Sequence, residues 1–122
     1  MRRPRALCDI SKALLLMILL CLHANVAHAA GRAIFGAGLV SCGEWQKFKT
    51  TNDRASLFQI QAWVDGFLSG QNLFAEGSDF LVSKPNSTAL YAWIDNYCAA
   101  NPLDTIAKAT VSLRGELETR AK

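Results

Sequence analysis

Apolar side chains occur in this chain first as one unbroken run and afterwards as stripes. Ala13 to Leu22 carries no charge over ten positions and follows a basic start of Arg2, Arg3, Arg5 and Lys12. A membrane span needs roughly 17–25 apolar residues, so the run is short for one and suits the core of a secretory signal. His23 and Asn25 interrupt it, and Ala27-His28-Ala29 supplies a small-x-small cleavage site. Residues 1–29 are therefore read as a signal peptide cleaved after about Ala29, and the mature chain as an exported, periplasmic protein without stable membrane insertion.

Past the cut, residues 30–40 are rich in Gly and Ala and read as a flexible lead-in. Ser41-Cys42-Gly43-Glu44 has the spacing of a capping box and predicts a helix over 42–49, with Trp45 and Phe48 turned inward. Asn52 or Asp53 can cap a longer helix reaching about Phe74, where Leu57, Ile60, Val64, Phe67 and Leu68 recur at helical spacing and Phe58 and Trp63 broaden the stripe. Gly66 and Gly70 each cost that helix about 1 kcal/mol relative to Ala. Such a cost predicts close approach of another backbone, or a bend.

Residues 76–87 are turn-rich, with Phe80-Leu81-Val82 as an apolar patch able to pack on the core. A third helix is expected from Ser87 or Thr88 to Ala100, with Leu90, Trp93, Ile94, Tyr97 and Cys98 on one side. Asn101-Pro102-Leu103-Asp104 has the residues of a fourth helix start, and the stripe Leu103, Ile106, Ala107, Thr110, Leu113, Leu117 follows. Residues 119–122 are charged and expected to fray. The fold class is all-α, a small bundle of about four helices over residues 41–118.

Charge and cysteine content narrow the function. The whole chain has a formal net charge of +3, but the signal holds four basic residues and one acid, Asp9, which leaves nine of each sign in the mature chain. No basic excess remains to neutralise phosphates, so nucleic acid is not an expected partner. His23 and His28 leave with the signal. Without imidazole there is no Ser/His or Cys/His dyad and no histidine metal site, and no motif singles out a pair of carboxylates for acid–base work. No catalytic residue, metal or cofactor is expected, and the chain is read as a protein-binding protein, not an enzyme.

Cys8 and Cys21 also depart, so Cys42 and Cys98 are the only thiols left, and in an oxidising compartment they are expected to pair. Closing a loop of that length is worth on the order of 4 kcal/mol in the chain-entropy model. Leu39-Val40-Ser41-Cys42 would also satisfy a bacterial lipobox, although about twenty residues separate it from the apolar run that a lipobox must directly follow.

Cys42-Gly43-Glu44-Trp45 and Asp95-Asn96-Tyr97-Cys98-Ala99-Ala100-Asn101-Pro102, with Ala62-Trp63 between them, resemble the HdeA/HdeB family of small periplasmic acid-stress chaperones. The resemblance implies a homodimer at neutral pH that loosens in strong acid and holds unfolding client proteins through exposed apolar surface. It makes Trp45, Trp63, Phe67, Trp93 and Tyr97 candidate client-binding or core aromatics. The cysteine-linked helices and the Gly-containing central helix are also similar to the Rap1a/Tai immunity family, which implies instead a periplasmic inhibitor of one specific partner.

Overall fold

Each helix begins where a short polar side chain can accept a hydrogen bond from an unpaired backbone N–H of the first turn. In the computed structural model, which describes residues 33–122, a 3-10 turn over Gly36–Leu39 precedes four helices, α1 (Cys42–Thr50), α2 (Arg54–Leu73), α3 (Ser87–Ala100) and α4 (Ile106–Arg120). The signal peptide, its cleavage site, Cys8, Cys21, His23 and His28 lie outside the described residues. Ser41 and Glu44 form the expected reciprocal capping box on α1. Asp53, Asn86 and Thr105 cap α2, α3 and α4, accepting from the N–H groups of Ser56, Ala89 and Lys108.

The core is built from straight rows of residues four apart. Ile60, Val64 and Leu68 of α2 and Leu90, Ile94 and Cys98 of α3 are buried together with Cys42 and Trp45 of α1 and Ile106, Ala109, Leu113 and Leu117 of α4. Phe80 joins them from the loop between α2 and α3, as its apolar neighbourhood predicts. Its backbone N–H donates to Oδ1 of Asn72 at 3.0 Å, and the Arg114 guanidinium lies 5.5 Å from its ring centroid. The Cys42–Cys98 disulfide ties α1 to α3, with the two Cα atoms 4.7 Å apart.

Four expectations are corrected. The lead-in is not free of the domain over its second half. Gly36, at φ +78°, starts the 3-10 turn, and Gly38 is buried against the ring of Trp63. Residues 101–104 do not begin the fourth helix, which starts at Ile106, and Leu103 is 95% exposed instead of lying in its stripe. The reason is tertiary. The carbonyls of Pro102 and Asp104 accept from the N–H groups of Gly43 and Cys42, and Val40 O accepts from Ile106 N, so this linker, turned by a bond from Asp104 N to Asn101 O, packs on the start of α1 and satisfies its orphan donors. Phe58 is exposed and does not widen the buried stripe of α2. Finally, α4 continues to Arg120, supported by Arg114–Glu118 and Arg120–Glu116 pairs one turn apart, where a frayed tail was expected.

Candidate functional site

The two sequence segments that carry the family resemblance lie side by side. Cys42 and Trp45 are three apart on α1, and Asp95 and Cys98 are three apart on α3. The helices are antiparallel in this register, so the disulfide at 42–98 is followed one turn on by a hydrogen bond from Trp45 Nε1 to Oδ1 of Asp95 at 2.7 Å. The other carboxylate oxygen of Asp95 takes the ammonium of Lys49, and its backbone carbonyl accepts from Nε2 of Gln46 at 3.2 Å. Trp45 is therefore a core residue and not part of a surface.

α3 is tied in the same way to its other neighbours. The Tyr91 hydroxyl donates to Oδ2 of Asp65 on α2 at 2.6 Å, and the Tyr97 hydroxyl donates to Oδ2 of Asp104, just before α4, at 2.7 Å. Burial, and then the Asp65 carboxylate beside it, push the Tyr91 hydroxyl up to about 12. Asp104 is held below the ordinary carboxylate value by its hydrogen bond with Lys108 and then by that from Tyr97, while Lys108 is raised in return.

The remaining candidate aromatics form two half-buried stacks. Trp63 and Phe67 lie with ring centroids 5.0 Å apart, and Trp93 and Tyr97 with centroids 5.6 Å apart, each pair one turn along its helix. The Trp63 indole N–H donates to the carbonyl of Phe35 at 2.9 Å. The structure does not bring the five aromatics into one patch, since Trp45 is covered and the stacks sit on different helices. Sequence reasoning missed the large apolar side chains that stand in solvent: Phe35 (81% exposed), Leu73, Phe74 (87%), Phe58 and Leu103. Phe58 carries a readable signal, because a residue two positions from Ile60 and four from Ala62 lies on the opposite side of the helix from the Ile60 row.

A cleft of about 350 Å³ is lined by Leu68, Leu81 and Leu90 together with Asp65, Lys84 and Ser87. Its apolar wall and its two opposite charges can take a side chain of a protein partner. Among the described residues no helix is long and apolar enough to cross a membrane. Fold and disulfide define the class: a small all-α bundle closed by one disulfide. Comparison with protein families, with curated proteins and with solved structures finds no match.

Proposed function

We propose that the mature chain is a periplasmic protein of holdase type, folded at neutral pH, that loosens in strong acid and covers unfolding client proteins with apolar surface. The observation that carries this reading is the use of aspartate at each polar tie of α3, through Asp95 to α1, Asp65 to α2 and Asp104 to the segment leading into α4. Carboxylates as a class lose their charge near pH 4, and charged acceptors make the stronger hydrogen bonds. In strong acid nine basic side chains then face almost no negative charge, and self-repulsion favours expansion. The disulfide limits that expansion, while the Trp63–Phe67 and Trp93–Tyr97 stacks become available to clients. Light scattering of an acid-denatured client at about pH 2–3 should fall when the oxidised mature chain is added. No suppression at several-fold excess removes the chaperone reading.

One observation favours a second reading, an immunity or inhibitor protein of the Rap1a/Tai type. Phe35, Phe74 and Leu103 are exposed in the folded chain, so apolar surface is offered without acid. That reading expects one stoichiometric partner to be recovered at neutral pH and no protection of unrelated clients.

A further inference from the structure

The cleft between α2, the loop that follows it and the start of α3 carries two charges that the fold does not pair. Asp65 and Lys84 both line it, yet neither belongs to an ion pair among the described residues. Asp65 accepts from the Tyr91 hydroxyl, which is a neutral donor. Leu68, Leu81 and Leu90 supply the apolar wall, and Leu68 and Leu90 belong to the buried core, which holds that wall in place. Opposite charges that face one cavity without meeting each other are complementary to a ligand that carries both. The outer side of α2 offers no comparable guide. A Cβ added to Gly66 or Gly70 would meet nothing within 4 Å, so the close approach expected of these glycines is absent within the chain.

Lys84 stands out by its backbone. Its φ of +47° lies in the left-handed region, which glycine and asparagine occupy more readily than lysine does. Its N–H donates to the Leu81 carbonyl at 2.7 Å, so the conformation belongs to a closed turn. What lysine adds over glycine at this position is an ammonium at the cleft. Strain of this kind collects at ligand sites. Ser87, three residues on, is the first residue of α3 and lines the cleft too. The positive end of the helix dipole therefore adds to Lys84, and both favour a carboxylate. Asp65 supplies the acceptor for an ammonium. The volume of about 350 Å³ falls at the lower end of small-molecule sites, about 300–1,000 Å³.

The geometry points to this cleft as a binding site for a small apolar zwitterion, a free apolar amino acid or dipeptide. Its ammonium would sit on Asp65, its carboxylate on Lys84 beside the start of α3, and its side chains on Leu68, Leu81 and Leu90. This is independent of the acid-response reading, because it concerns the folded chain at neutral pH. Isothermal titration calorimetry of the oxidised mature chain with leucine and with leucyl-leucine should show saturable binding of at least one, with a Kd of about 1 mM or tighter. The tighter of the two identifies the size taken. N-acetylation or C-amidation of that ligand should weaken binding by at least about tenfold, the scale of a lost charge-assisted hydrogen bond. Lys84→Gly separates the site from the fold: it should not lower the melting temperature, because the turn favours glycine, yet it should weaken binding by at least about tenfold. Asp65→Asn keeps an oxygen for Tyr91 and removes the charge, so it should weaken the free ligand and leave its N-acetyl form unaffected. Absence of saturable binding by either zwitterion overturns the inference. So does full affinity in Lys84→Gly, or an N-acetyl form that binds as tightly as the free one, which would make the cleft a pocket for a protein partner's chain.

Discussion

The indole of Trp45 and the carboxylate of Asp95, 50 residues apart in sequence, meet at 2.7 Å one helical turn from the disulfide. Trp45 is 2% exposed, so its N–H has no water to fall back on. Asp95→Ala leaves that donor unsatisfied and should cost about 1–3 kcal/mol. Asp95→Asn keeps an acceptor in place and should cost less. Urea denaturation of both variants at neutral pH measures the difference. Equal losses would show that the charge near Lys49, not the indole bond, is what matters.

The acid limb of stability follows from three carboxylates. Glu44 and Asp53 are lowered chiefly by backbone N–H donors of the helix starts they serve, and Asp104 by Lys108 and then Tyr97. A depressed folded value means that each contribution is present above the unfolded value, about 3.9 for Asp and 4.3 for Glu, and is lost as pH falls through the folded one. Stability should therefore fall as pH drops below about 4, and Asp104→Asn should flatten that fall. On the alkaline side Tyr91, raised to about 12, has the opposite sign. Its contribution is present below about pH 10 and lost on the way to the folded value. Denaturation midpoints taken across pH, with tyrosinate absorbance for Tyr91, test both limbs.

Helix positions were legible in the sequence because their signals are local. Ser41 with Glu44 and Asp53 ahead of Ser56 each act over three residues, and the rows 60-64-68 and 90-94-98 are readable from spacing alone. The Cys42–Cys98 pairing was legible for a different reason: two thiols have one intramolecular way to join. What was not legible depends on distant partners. Residues 101–104 carry every local mark of a helix start, yet they form a turn outside the helix because the N–H groups of Cys42 and Gly43 need the carbonyls of Asp104 and Pro102. The Asp95–Trp45 and Asp65–Tyr91 ties were equally hidden, since nothing local connects residues 50 and 26 apart. The inward turn of Trp45 was legible from its place three residues after Cys42, and the exposure of Phe58 could have been read from its place two positions from the Ile60 row.

Two glycines should respond in opposite directions. A Cβ on Gly38 would stand 2.3 Å from Cζ2 of Trp63, whose ring is fixed by its bond to the Phe35 carbonyl. Gly38→Ala must displace the 3-10 turn or the indole and should destabilise by about 1–3 kcal/mol. Gly115 of α4 has nothing within 4 Å, so Gly115→Ala should stabilise by up to about 1 kcal/mol through helix propensity. Thermal melting of the two variants, with tryptophan circular dichroism to follow Trp63, distinguishes a packed turn from a loose lead-in. A neutral Gly38→Ala would restore the loose one.

The disulfide should matter more in acid than at neutral pH. At pH 7 the Cys42 and Cys98 side chains belong to the buried core with Trp45, Ile94 and Ile106, and the Asp95 and Asp104 hydrogen bonds also tie α3 to its neighbours. Replacing both cysteines with serine removes the constraint on the unfolded chain and should cost about 2–5 kcal/mol. In strong acid the nine basic side chains repel one another, and the 42–98 link becomes the strongest remaining limit on how far the chain can spread. Small-angle scattering should show the oxidised chain expanding modestly between pH 7 and pH 2, and the Cys42→Ser, Cys98→Ser variant expanding much further toward the dimensions of an unfolded polymer. If the link is what keeps apolar surface concentrated for clients, the serine variant should also lose client protection in acid even at concentrations that compensate for its lower stability. Equal expansion of the two forms would mean that the bond serves the neutral fold alone.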